Sequence, residues 1–145
     1  SFVGVTEVLK VKRCRFQAFL FEVQHEKDIK PACEDLVKRF QKVRKASHPH
    51  ICAWRICSGL PGKEGSVTGS TLSGFDDNGE HGAGRKLLAI LERHHEQQHC
   101  GEGENTRAGN LVVVSRWYGG SPLGAARFRA INKCAKQVLQ EQDLK

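Results

Sequence analysis

Along Cys14 to Val23 apolar and other residues alternate with a period of two, and Cys14, Phe16, Ala18 and Leu20 fall on one side. That pattern predicts a strand, and Val3 to Lys12, which also carries β-branched residues, predicts its hairpin partner. After Asp28 and Pro31, the second a favoured residue in a first helical turn, the spacing changes to three and four through Cys33, Leu36, Val37, Phe40 and Val43. This predicts an amphipathic helix to about Lys45, with Lys38, Arg39, Lys42, Arg44 and Lys45 on a solvated outer face. His50 to Ser58 alternates again, Ile51, Ala53 and Arg55 against Cys52, Trp54 and Ile56, and reads as a strand. Ser58 to Gly74 carries five glycines with Pro61 and reads as a long flexible loop.

Leu87, Leu88 and Leu91 form the stripe of a second helix from Ala83 to about His99, followed by a second flexible stretch, Cys100 to Asn110. Leu111 to Val114 is apolar without alternation until Ser115, so Leu111 to Trp117 is expected to be a central strand buried on both faces. Phe128, Ile131, Ala135, Val138 and Leu139 then mark a helix from near Gly124 to about Glu141. The order β-β-α-β-α-β-α predicts an α/β (α+β) two-layer sandwich with a mixed sheet, in one domain over 1–145.

A length of 145 residues, 39% apolar and 27% charged, is enough for one real core and excludes a disordered or fibrous chain. No apolar run approaches the roughly 20 residues a membrane helix needs, and the polar start lacks the apolar stretch of a secretory signal. Six cysteines without a CxxC pair read as reduced thiols, which points to the cytoplasm. The net charge of +7 favours anionic partners without choosing between RNA, lipid headgroups and an acidic protein.

His95-Glu96-Gln97-Gln98-His99 matches the H-E-x-x-H zinc pattern, yet Glu92, Arg93 and His94 flank it and no third ligand is evident. Neither a nucleophile elbow nor a Walker loop is present, so no catalytic residue, metal or cofactor is assigned. Two glycine-rich turns that open helices stand out. One runs from Asp77 to Lys86; the other runs from Arg116 to Gly124, with Arg127 and Arg129 beyond. Free N–H groups and the positive end of the dipole make such starts anion sites, while glycine can equally serve only positive φ and close packing.

Lys45-Ala46-Ser47-His48 leading into Ile51 to Ile56, the Asp77-Asn78-Gly79-Glu80 loop, and Val112 to Gly120 followed by Leu123-Gly124 together resemble the IMPACT family. Arg127-Phe128 and Ile131 to Ala135 resemble its eukaryotic branch, and the resemblance runs from about Phe2 to Leu139. It implies a fold like a domain of a small-subunit ribosomal protein with a left-handed βαβ crossover. It also implies a non-catalytic cytosolic regulator of translation. Such a regulator binds the ribosome-associated scaffold that activates the amino-acid-starvation kinase, and so restrains that kinase; actin, the ribosome and RNA are further partners it suggests. Three departures stand out: Asn78 replaces an acidic residue usual in the family loop, the 58–74 segment is long, and the RWD domain of eukaryotic members is not in this chain.

A partner- or anion-binding surface is therefore expected where the strand end Arg116, Trp117, Tyr118, Gly119 and Gly120 meets His48 and the loop of Asp77, Asn78 and Glu80, with Arg85, Gly124 and Arg127 at the helix starts. If RNA is the partner, Arg116, Arg127 and Arg129 would face phosphates and Trp117 or Tyr118 would stack on a base.

Overall fold

A computed structural model describes residues 1–61, 67–97 and 107–143. The N-terminal hairpin forms with one interruption: β1 (Phe2–Val5) and β2 (Leu9–Val11) both pair antiparallel with β3 (Cys14–Glu22). Thr6 ties the break to β3. Its N–H donates to the Ala18 carbonyl and its hydroxyl accepts from the Ala18 N–H, both at 3.0 Å, while the Gln17 amide donates to its carbonyl at 2.7 Å.

The first helix is shorter than its apolar stripe predicts. α1 (Ile29–Arg39) stops at Phe40, whose φ of −126° and ψ of 87° leave the helical region, and Gln41–Lys45 forms a 3-10 turn. The Phe40 ring lies 5.7 Å from that of Phe2 and 5.0 Å from that of Phe19, so packing against the sheet replaces further helix.

Two strands occupy what composition reads as a loop. β4 (His48–Pro61) and β5 (Val67–Asp76) form an antiparallel hairpin in register from Cys52 opposite Asp76 to Pro61 opposite Val67. Gly74 shows why the composition misleads: the Trp54 indole lies where a Cβ at 74 would stand, so this glycine serves close packing and not flexibility. α2 (Ala83–Gln97), β6 (Arg107–Trp117) and α3 (Ala126–Asp143) follow. The stretch read as flexible at 100–110 lies partly outside the described residues, and its last four residues belong to β6.

The chain is α/β, with the sheet in the order β1-β3-β6-β4-β5 and β2 also on β3. Every neighbouring pair is antiparallel, which corrects the mixed sheet. β3 and β4 run the same way with β6 between them, as do β5 and β6 around β4. The crossovers through α1 and α2 each skip one strand, so parallel strands never become neighbours.

Helices cover both faces, which corrects the two-layer expectation. On one face Phe16, Leu20, Ile51, Val112 and Val114 pack under α2 and α3 through Leu87, Leu91, Ile131 and Val138. On the other, Phe19, Phe21, Cys52, Leu111 and Val113 pack under Leu36 of α1 and Val43 of the 3-10 turn. A central strand apolar on both sides requires cover on both. The second cover ends early, leaving Arg15 exposed and Trp117 half-buried at one end of the sheet.

Candidate functional site

The loop joining β5 to α2 is held by its own polar side chains. Asp76 Oδ1 accepts from the Asn78 N–H at 2.8 Å, and Asp77 accepts from the N–H groups of Gly84 at 2.8 Å and Gly82 at 3.1 Å. A carboxylate of the chain therefore sits against the start of α2, at the end of the dipole that favours negative charge. Asn78, in the left-handed region at φ 47°, turns its Oδ1 to the His50 N–H at 3.0 Å. Gly79 at φ +91° brings the loop against His48, since a Cβ there would stand 2.9 Å from Nδ1.

Glu80 is the centre of the loop and is 5% exposed. Its Oε1 accepts from Arg116 Nη1 at 2.7 Å and pairs with His48 Nε2 at 2.9 Å, while Oε2 accepts from Arg127 Nε at 2.7 Å. His48 Nδ1 lies 2.8 Å from the Asn78 carbonyl, so both ring nitrogens face oxygen atoms of the loop. Arg116 is 4% exposed and also donates through Nη2 to Cys14 Sγ at 3.7 Å; Arg127 donates through Nη1 to the Gly124 carbonyl at 2.7 Å. One carboxylate thereby joins β4, β6, the loop and α3, and neutralises guanidinium groups that sequence alone leaves free for an anion.

The segment after β6 follows the same logic residue by residue. Ser115, fully buried, donates to the Pro49 carbonyl at 2.7 Å, and Trp117 donates through Nε1 to the Lys42 carbonyl at 3.0 Å. The Tyr118 N–H donates to Ser47 Oγ at 2.9 Å while its side chain remains 51% exposed. Gly119 lies so close to the Arg13 carbonyl that a Cβ would fall on it, and Gly120 and Gly124 hold φ of +92° and +56°.

Of the residues expected at one surface, His48, Asn78, Glu80, Arg116 and Arg127 come together, with Asp77 capping the adjacent helix. Trp117 leaves that cluster, and Tyr118 borders it, its ring 5.7 Å from the Arg116 guanidinium. Strand alternation sends Trp117 to the opposite face, where it lines a cavity of about 300 Å³ with Val8, Arg13, Arg15, Lys42 and Tyr118. Arg85 stands over the Phe75 ring at 5.7 Å, and Phe128 lies under both Lys86, at 5.3 Å, and Arg127, at 4.3 Å. Sequence reasoning missed Arg13 and Arg15 altogether and placed Lys42 on a plain solvated face; the register that sets Arg15 opposite Trp117 is what reveals them.

Of the zinc pattern, His95, Glu96 and Gln97 lie within the described residues. His95 Nε2 meets Asn110 Oδ1 at 2.9 Å, burial holds its pKa below the usual histidine value, and His99 lies outside the described residues. Among the described residues no three His, Cys, Asp or Glu side chains are grouped to hold a metal ion. Burial similarly pushes the Cys134 thiol up to about 12. Cys33 on α1 and Cys52 on β4 interact, which lowers the Cys33 thiol against the opposing effect of its burial and raises that of Cys52, to which burial adds. No described helix is long and apolar enough to cross a membrane.

Comparison with known proteins matches the Impact N-terminal domain family to residues 12–139. An IMPACT family member of Saccharomyces cerevisiae is 33% identical over 94% of this chain and 89% of its own length. A protein IMPACT homolog of Caenorhabditis elegans is 34% identical over 94% of this chain but 46% of its own, and the protein IMPACT of Homo sapiens is 36% identical over 91% and 35%. The chain thus spans most of the yeast relative and less than half of these animal ones. A crystal structure of a hypothetical protein superposes on 94% of this chain and 57% of its own with a TM-score of 0.59 at 24% identity, a likeness of fold.

Proposed function

The chain belongs to the IMPACT family, and from that premise we propose that it is a non-catalytic regulator of translation that acts by occupying a protein partner. The partner is the ribosome-associated scaffold that activates the amino-acid-starvation kinase, and binding restrains that kinase. The observation that supports a protein partner is the outer strand β5. It ends the sheet, has no strand on its outer side among the described residues, and exposes Leu72 at 50% and Phe75 at 39%. An edge strand offers backbone N–H and C=O groups for strand addition, and apolar side chains beside it give the added strand something to bury.

In this reading Asp77, Asn78 and Glu80, with His48, Arg116 and Arg127, are positioning residues that hold the corner between β5 and α2, and Arg85 braces Phe75. Their paired charges keep that corner rigid on the partner side.

The test is affinity for the purified scaffold protein. Leu72→Ser combined with Phe75→Ser is expected to weaken binding by at least about tenfold, as loss of a buried apolar anchor does. Unchanged affinity with an unchanged melting temperature would remove the β5 edge from the reading.

A further inference from the structure

Where β3 meets the end of β6, the cavity of about 300 Å³ lined by Val8, Arg13, Arg15, Lys42, Trp117 and Tyr118 combines three cations with two aromatic rings and no carboxylate. Among the described residues Arg13, Arg15 and Lys42 have no ion-pair partner, in contrast to Arg116 and Arg127. The Trp117 ring is held by Nε1 on the Lys42 carbonyl, 3.0 Å away, with the Lys42 ammonium 5.8 Å from its centre; the Tyr118 backbone is held by its N–H on Ser47 Oγ, 2.9 Å away, and the Arg116 guanidinium lies 5.7 Å from the Tyr118 ring. Gly119, packed on the Arg13 carbonyl, keeps Tyr118 beside the hairpin turn that carries Arg13. Arg15 stands opposite Trp117 on β6 and opposite Lys10 on β2, so exposed positive charge continues across the sheet from the cavity to its edge.

We infer that this cavity binds a single-stranded nucleic acid, a base stacking on Tyr118 and Trp117 and the flanking phosphates meeting Arg13, Arg15 and Lys42. Cations alone would suit any polyanion. What selects nucleic acid is a half-exposed tyrosine and a fixed tryptophan among those cations: every base has a face that stacks on an aromatic ring, and its backbone places a charge on either side. An acidic peptide would match the charges and gain nothing from stacking on the rings. The site is separate from the β5 edge, so its success or failure leaves the scaffold reading untouched.

The experiment is fluorescence anisotropy of a short labelled oligouridine and of the matching oligodeoxyuridine, with a glutamate-rich peptide as competitor. Three phosphate contacts on a single strand predict a slope of about −2 in log affinity against log salt, hence a roughly fifteen- to twentyfold loss between about 50 and 200 mM. Arg13→Gln with Arg15→Gln is expected to flatten the slope to about −0.7. Tyr118→Ala is expected to weaken binding about tenfold while Tyr118→Phe preserves it, a difference that charge alone cannot produce. In a Trp54→Phe background, uridine monophosphate should quench the emission of Trp117, the remaining tryptophan. Preference for one oligonucleotide over the other identifies the sugar, and either preference supports the site. Tyr118→Ala binding as tightly as the parent, or the peptide displacing oligouridine at equal concentration, overturns it.

Discussion

Arg116 and Trp117 are neighbours on β6, and strand alternation sends them into two regions that share a chemistry and differ in its state. On the Arg116 side, two guanidinium groups and an imidazole converge on Glu80, and the arginine and the carboxylate at the centre are almost without solvent. On the Trp117 side, Arg13, Arg15 and Lys42 stand exposed around a cavity with no carboxylate in its lining. The first arrangement holds the fold together and the second is free to meet a ligand. An arginine in a glycine-rich motif is therefore not by itself an anion site; whether a carboxylate has already reached it decides the matter.

The change that breaks this contrast most severely is Glu80→Ala. It leaves Arg116 charged, buried and unpaired, and loss of one member of a buried pair costs about 3–5 kcal/mol. Urea denaturation of the variant should show a loss of unfolding free energy of that size, with the β5–α2 corner the first part to lose amide protection in hydrogen exchange. A loss below about 1 kcal/mol would show that Glu80 is not what satisfies Arg116. Next in size is Gly119→Ala, whose methyl group would fall on the Arg13 carbonyl and push apart the two turns that bound the cavity. Overpacking of this kind costs about 1–3 kcal/mol. It should also weaken oligouridine binding, whereas Glu80→Ala acts on stability first.

How much of this was legible beforehand depended on whether the deciding partner was near in sequence. Leu111 to Val114 announced a strand buried on both sides, and such a strand is incompatible with a two-layer sandwich; the helices on both faces could have been deduced from it. The end of α1 could not, because Phe40 continues the apolar stripe and only its contacts with Phe2 and Phe19 take it out of the helix. β5 was hidden because glycine at 74 signals flexibility locally and packing under Trp54 globally. At the site, His48, Glu80 and Arg116 were identifiable from their motifs, yet their mutual neutralisation depends on the loop folding back on β4. Arg13 and Arg15 lie in a hairpin with no motif, and their proximity to Trp117 exists only in the strand register.

A smaller effect separates the surroundings of the two regions by pH. His50 donates its N–H to Asn78 beside the Glu80 cluster, and burial holds the His50 pKa below the ordinary 6.5; His95 is lowered by burial as well. For a depressed histidine the unfolded state takes up protons first, so this stabilisation is complete above about 6.5 and declines as pH falls through the lower folded value. Melting temperature should fall between pH 7 and pH 5, and His50→Gln with His95→Gln should flatten that fall. The cavity contains no histidine, so Arg15→Gln should leave the profile unchanged.

The smallest expected change in stability is that of Arg15→Gln itself, and it sharpens the comparison most. Arg15 is exposed and has no ion-pair partner among the described residues, so its loss should move the unfolding free energy by no more than about 0.5 kcal/mol. Arg127→Gln, which removes one of the two guanidinium groups on Glu80 at a partly exposed position, should cost about 1–3 kcal/mol through the lost charged hydrogen bond. Measured side by side in urea, the pair reports which arginine the fold depends on. Measured by anisotropy, the order should invert: Arg15→Gln weakens oligouridine binding and reduces its salt slope by about 0.7, while Arg127→Gln leaves both where they were. Equal effects of the two variants in both assays would mean that the two regions do not divide structure from binding, and that the cations around Trp117 serve the fold as those around Glu80 do.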